Sequence, residues 1–306
     1  MTAASPLALS RLLHDFPVLA ESLRGIERAA ATDAPVLLLG ESGTGRSTVA
    51  RALHEASPRA ASPLVEVDPG AIPSTLFESE LFGYRAGAFS GAERTSEGRV
   101  ARAEGGTLIL DHVEELPLAS QPKLLRLVAE RRYTPLGGAE TGADVRFLAI
   151  GCEDLPGRVA RETFRPDLFY RLEVLAFRVP SLRERRADLP RLLDHLLADL
   201  GERFGVREPV LTPRARAWMI DYAWPGNLRQ LRNALERGLI LAEGPIDPPP
   251  PEGGPDEARP RPLLEVEKEQ IRNALAYTRG HQGRAAELLG ISRKALWEKR
   301  KRYGIP

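Results

Sequence analysis

The chain has 306 residues, 42% of them hydrophobic and 28% charged, which is room for two or three soluble domains with sizeable cores. Its 43 basic and 42 acidic side chains leave a net charge of +1, so no global field steers partners, and a nucleic-acid contact needs a local basic patch. The single cysteine, Cys152, excludes an internal disulfide and fits a reducing cytoplasm; residues 1–10 do not read as a signal peptide, and no apolar stretch approaches a membrane span.

Residues 1–15 read as a short lead, and residues 19–31 have helical apolar spacing. Residues 35–39 form a short apolar run between proline and glycine, the pattern of a buried strand. A helix is predicted over 47–55, and further strands over 64–67, 106–111 and 145–150, with helical patterns between them. This alternation predicts an α/β domain with a largely parallel sheet over 16–179. After Pro180 the pattern turns helical: Leu189, Leu192, Leu193, Leu196, Leu197 and Leu200 share one face of a helix over 188–204, and helices over 213–222 and 226–241 complete a helical lid over 180–242. Residues 243–262 are rich in Pro and Gly and read as a linker. A small helical domain closes the chain over 263–306.

The segment Gly40-Glu41-Ser42-Gly43-Thr44-Gly45-Arg46-Ser47 has the spacing of a phosphate-binding loop, with Arg46 where that motif carries lysine. Glycines between a strand and a helix let backbone N–H groups point at phosphate oxygens, and the helix N-terminus adds a favourable dipole. Ser47 supplies a hydroxyl for Mg²⁺, and Asp111, ending an apolar strand, holds the same ion through water.

The order of motifs resembles the sigma-54-dependent transcriptional activators, bacterial enhancer-binding proteins of the AAA+ class. The matching segments are Glu78 to Gly83, Gly87-Ala88-Phe89-Ser90-Gly91-Ala92, Gly105 to Asp111, Phe164 to Leu172, Leu182 to Arg186 and Trp224 to Arg229. The resemblance covers roughly residues 20–242 and the C-terminal domain. It implies an AAA+ P-loop domain with a helical lid, a ring that is usually a hexamer, ATP or ADP with Mg²⁺ between subunits, and a Gly87–Ala92 loop that engages sigma-54 on RNA polymerase. Ser90 stands where the family has threonine. The resemblance also marks degenerate positions: His112 in place of a water-polarising glutamate, Cys152 in place of a γ-phosphate-sensing asparagine, and Asp68 in place of the asparagine that switches that glutamate. The Asp68 and His112 changes read equally as a matched pair or as independent drift. Arg165 and Arg171 align with fingers that enter the neighbour's site, and Arg229 with a lid arginine that contacts nucleotide.

At the end of the chain, helices over 267–278, with Ile271 and Leu275 inward, and over 283–290 precede a turn at Ile291-Ser292 and a helix over 293–303. Ser292 reads as the N-cap. This is helix-turn-helix spacing and resembles the Fis-type domain that ends many of these activators. Arg293, Lys294, Lys299, Arg300, Lys301 and Arg302 crowd the last helix; Ser292, Arg293, Lys294, Lys299, Arg300 and Arg302 are assigned to DNA, while Ala295, Leu296 and Trp297 are read as including the packing face. The expected protein is a cytoplasmic sigma-54-dependent regulator that binds a two-fold upstream DNA site and nucleotide, with weak or no hydrolysis alone. Its lead is too short for a sensory domain, so control is expected from a partner, expression level or the nucleotide site. An active ATPase with a variant site, a non-enzymatic DNA-binding anti-activator, and a mixed-ring partner of an intact relative stay open.

Overall fold

The computed structural model describes residues 8–242, 244–250, 267–268, 270–272, 274–275, 278 and 281–303. It divides into two units, residues 1–249 and 250–306. In the first, five parallel strands form one sheet: β1 (Val36–Leu39), β2 (Leu64–Val67), β3 (Thr107–Leu110), β4 (Arg146–Gly151) and β5 (Leu175–Arg178). Their spatial order is β2-β3-β4-β1-β5, with Val36 opposite both Leu148 and Leu175. The central strands β3 and β4 are buried throughout, as expected of a sheet covered on both faces.

Four strands lie within a residue of their predicted bounds. The fifth, β5, is a correction to the reading that placed none after residue 150. Its side chains alternate between half-buried and exposed, because β5 sits at the sheet edge and pairs with β1 alone. The lead is corrected too. Leu9–Asp15 is a helix whose Leu9 and Leu12 enter the main core, and Asp188 accepts hydrogen bonds from the Val18 and Leu19 amides at 3.1 Å each. The helical span over 19–31 is broken into Pro17–Ser22 and Ile26–Ala30, with left-handed Gly25 at φ 91° between them.

The lid helices are Leu189–Phe204, Pro213–Asp221 and Asn227–Leu241. The leucine stripe of the first is largely buried, and Thr212 caps the second by accepting from the Ala215 amide at 3.1 Å. The start of the predicted linker belongs to this unit: Ile246 is buried and donates its amide to the Val210 carbonyl at 2.8 Å. The rest of that linker, residues 251–262, lies outside the described residues.

One buried histidine gives the fold a pH signature. His54 Nδ1 lies 2.9 Å from Thr107 Oγ1, and burial, then the Arg146 charge, lower its pKa from the ordinary 6.5. The folded state therefore holds the neutral ring and binds fewer protons than the unfolded chain just below pH 6.5. The His54 contribution is complete above that pH and is lost as pH falls toward the lowered folded value. The urea midpoint is expected to drop between pH 7 and pH 5.5, and His54→Gln to flatten that part of the slope.

Candidate functional site

The glycine loop joins β1 to the helix Arg46–Glu55. Gly40 and Gly43 have φ of 153° and 78°, and a Cβ on either would lie 2.5 Å from the Val179 carbonyl oxygen or 2.8 Å from that of Gly226. Only glycine lets the backbone turn this tightly there. Lid and loop are also pinned together. Asn227, buried and at φ 51°, accepts from the Leu182 amide at 2.8 Å and donates to Glu41 Oε2 at 3.0 Å and the Ser42 carbonyl at 3.1 Å. Arg183 pairs with Glu41, which lowers the pKa of that carboxyl. Arg185, 3% exposed, donates to the Thr44 carbonyl at 2.7 Å; burial pulls its pKa down to about 10. Arg229 reaches Ser42 Oγ at 3.1 Å.

Of these four side chains, only Arg229 was singled out from sequence. The motifs carrying Arg183, Arg185 and Asn227 were visible, but no spacing rule says which loop carbonyl a lid side chain meets. Asn227→Ala removes an acceptor from a buried amide and puts alanine into left-handed backbone. We expect a loss of about 2–4 kcal/mol in denaturant unfolding, larger than for a surface alanine substitution.

Ser47 Oγ donates to Asp111 Oδ2 at 2.9 Å. A hydroxyl and a carboxylate brought together beside a glycine cradle are the hard-oxygen donors that Mg²⁺ prefers, so these residues fit the ion. The Arg46 side chain is directed elsewhere. It is 6% exposed and donates from Nη1 to the Gly151 carbonyl at the end of β4. The next residue, Cys152, donates its amide to Glu114 Oε2 at 3.0 Å. Burial, with the Glu114 charge, raises the Cys152 thiol pKa, so it stays protonated near neutral pH and is a poor nucleophile. His112 is left-handed at φ 54°; its Nδ1 lies 3.4 Å from Asp68 Oδ1 and 3.7 Å from Asp111 Oδ1. Asp68 Oδ1 also accepts from the Gly70 amide at 3.0 Å.

Arg165 and Arg171 lie at and within a short helix and meet local partners. Arg165 precedes the helix Pro166–Leu172 and pairs with Asp167 at 2.7 Å; Arg171 donates to the Ala129 carbonyl at 3.0 Å. The Gly87–Ala92 loop springs from a two-stranded ribbon, Gly83–Tyr84 with Ser96–Glu97, and is closed by a bond from the Gly87 amide to the Ala92 carbonyl at 2.8 Å. Ser90 is exposed at its tip, and Phe89 stands 42% exposed beside Tyr84, ring centroids 5.0 Å apart. A second ribbon, Arg132–Tyr133 with Thr141–Gly142, brings its connecting loop alongside: a Cβ on Gly137 would lie 2.9 Å from that of Ala88.

The chain matches the model of the Sigma-54 interaction domain over residues 12–178, the AAA+ ATPase lid domain over 183–247, and the bacterial regulatory protein, Fis family, over 262–303. It belongs to the sigma-54-dependent transcriptional regulators. It is similar to the transcriptional regulatory protein ZraR of Salmonella typhi, 42% identical over 94% of this chain and 68% of the relative. It is also similar to the C4-dicarboxylate transport transcriptional regulatory protein DctD of Rhizobium meliloti, 40% identical over 96% and 64%. Among solved structures, NtrX of Brucella abortus in complex with ATP is 34% identical with TM-score 0.71, over 99% of this chain and 70% of that one. The regulator described here thus spans about two thirds of the length of these proteins. Its fold is the parallel-sheet AAA+ P-loop domain with a helical lid, followed by a helix-turn-helix.

In the helix-turn-helix unit, Ile271, Leu275, Ala285, Ala286 and Leu296 form the core. The described residues between 267 and 275 are helical, Gln282–Leu288 follows, and Ser292 Oγ accepts from the Ala295 amide at 3.1 Å at the start of Arg293–Tyr303. The structure divides the residues assigned to DNA. Arg293, Lys294 and Arg302 are exposed, while Lys299 is paired with Glu267, which Tyr303 also contacts, and Arg300 Nε is buried. Lys299 and Arg300 are thus only half exposed, Lys299 sharing its charge with Glu267. Among Ala295, Leu296 and Trp297, read as including the packing face, Leu296 is the core residue. Leu296 is 0% exposed and fills the core, whereas Trp297, the next residue round the helix, is 55% exposed.

Proposed function

We propose that this sigma-54-dependent regulator binds Mg-ATP but turns it over slowly or not at all by itself, and lends Arg165 and Arg171 to a neighbouring subunit. The observation that carries the reading is Arg46, buried and donating to the Gly151 carbonyl. The motif lysine is a compact point charge aimed at the β- and γ-phosphates; Arg46 spends its charge on the sheet and carries a planar fork in its place. Gly40, Gly43 and Gly45 hold the phosphates, Ser47 and Asp111 hold Mg²⁺, and Arg229 approaches from the lid. Bound Mg²⁺ supplies charge neutralisation at the phosphates. His112 and Cys152 leave the attacking water without the two groups that orient it in the family.

The Gly87–Ala92 loop, with Phe89 and Ser90 exposed, presents the sigma-54 contact, and the helix Arg293–Tyr303 docks in a DNA major groove. Assembly is a ring of this chain or a mixed ring with an intact relative. The test is phosphate release from Mg-ATP beside nucleotide binding, at concentrations that permit assembly: binding without turnover supports the proposal, and turnover at a relative's rate refutes it.

A second reading, hydrolysis by a variant site, is favoured by the 3.4 Å approach of His112 Nδ1 to Asp68 Oδ1. An Asp–His pair has the form of a general base held by a carboxylate. Unchanged phosphate release from His112→Ala disposes of it.

A further inference from the structure

The helix Arg293–Tyr303 has two unlike sides. Leu296 fills the core, Tyr303 packs against it, and half-exposed Lys299 and Tyr303 both contact Glu267. Arg293, Lys294, Trp297, Glu298 and Lys301 are exposed and recur at the spacing of a single helical stripe. Three of these five are cations. In their midst stands one large apolar side chain, Trp297, 55% exposed, with Lys301 Nζ 5.4 Å from its ring centroid. A single exposed apolar side chain is ordinary by itself, but an indole set among the cations of a helix-turn-helix's last helix lies where a nucleic-acid partner meets it.

The charge of the stripe and the helix-turn-helix frame identify that partner as duplex DNA, so the inference rests on the DNA-docking reading above. Trp297 is the fifth residue of the helix, in the N-terminal half that meets base edges in this motif, while Lys301 lies one turn further on, where backbone phosphates are met. Indole N–H is a donor only, but the major-groove edge of thymine also offers a methyl group, the apolar feature of the groove. We propose that Trp297 is a sequence-reading residue that packs its indole on a thymine methyl, with Arg293, Lys294 and Lys301 holding the helix in register on the phosphates and neighbouring bases. Glu298, on the same stripe, disfavours close phosphate approach on its side and leaves the indole edge as the path to the bases.

The test uses the full chain and a pool of random-sequence duplex DNA. The natural chain is expected to enrich sites with thymine at one position of each half-site. Trp297→Ala is expected to lose that preference while its binding to random DNA keeps the same salt dependence, because every cation of the stripe is intact. Trp297→Phe retains the preference. Replacing that thymine by deoxyuridine removes only the methyl; it is expected to weaken the natural chain by about 3- to 5-fold and to leave Trp297→Ala unaffected. A merely structural tryptophan produces no such coupling between protein and base. If Trp297→Ala enriches the same sites, or if both proteins respond equally to methyl removal, the inference is overturned while the DNA-docking reading stands. If the natural chain shows no salt-dependent binding to duplex DNA, the docking reading fails and this inference with it.

Discussion

Purified chain incubated with Mg-ATP is expected to release phosphate at background, while a variant carrying Arg46→Lys, His112→Glu, Cys152→Asn and Asp68→Asn turns over at least about 10³-fold faster. Phosphoryl transfer asks little covalent chemistry of a protein; positioning and charge stabilisation provide nearly all of the acceleration. Arg46 is withdrawn on both counts, since its guanidinium is buried against the Gly151 carbonyl. Lysine at that position has no fork to anchor there and is free to meet phosphate. Glutamate at 112 restores a carboxylate for the attacking water, and asparagine at 152 restores a group that both donates and accepts. Asparagine at 68 belongs in the set because a carboxylate facing the new glutamate repels it. Single reversions are expected to recover little, since groups that act as a unit are far from additive. Comparable rates for the natural and the four-fold variant chains refute the proposal and make the Asp68–His112 pair the site to dissect.

Mixed with a hydrolysis-competent relative, the natural chain is expected to change that relative's ATPase rate in proportion to its share of the ring, and Arg165→Ala with Arg171→Ala to abolish its support. A finger given in trans accelerates transfer by roughly 10³–10⁵, so each neighbour of a subunit lacking both arginines falls toward its unassisted rate. Both arginines lie on the surface and satisfy local partners, Asp167 for Arg165 and the Ala129 carbonyl for Arg171. The Arg165–Asp167 pair is half exposed and so weakly held, and finger donation requires it and the Arg171 contact to exchange for a neighbour's phosphate. Equal effects of natural and doubly substituted chains on the relative refute finger donation, and a titration with no effect at all refutes the mixed ring.

Periodicity in the sequence was enough to find four of the five sheet strands and the lid helices, because buried central strands are short apolar runs and the lid's leading helix carries one continuous leucine face. The glycine loop was equally legible, since three glycines, a hydroxyl and a strand-terminal aspartate at set spacing serve one purpose. Other elements were not legible, the two short ribbons among them. The strand Leu175–Arg178 is an edge whose half-exposed alternation is weak, and the helix Leu9–Asp15 becomes part of the core only when Leu9 and Leu12 meet side chains far along the chain. Side-chain direction was likewise decided in three dimensions. A sequence states that Arg46 stands where lysine is expected, but not that its guanidinium ends on a carbonyl 105 residues away. It states that the last helix is basic, but not that Lys299 is spent on Glu267 while Trp297 faces outward. Local propensity and spacing act over one or two turns of chain. Which long side chain is consumed by an internal partner, and which is left for a ligand, depends on surfaces that meet only after folding.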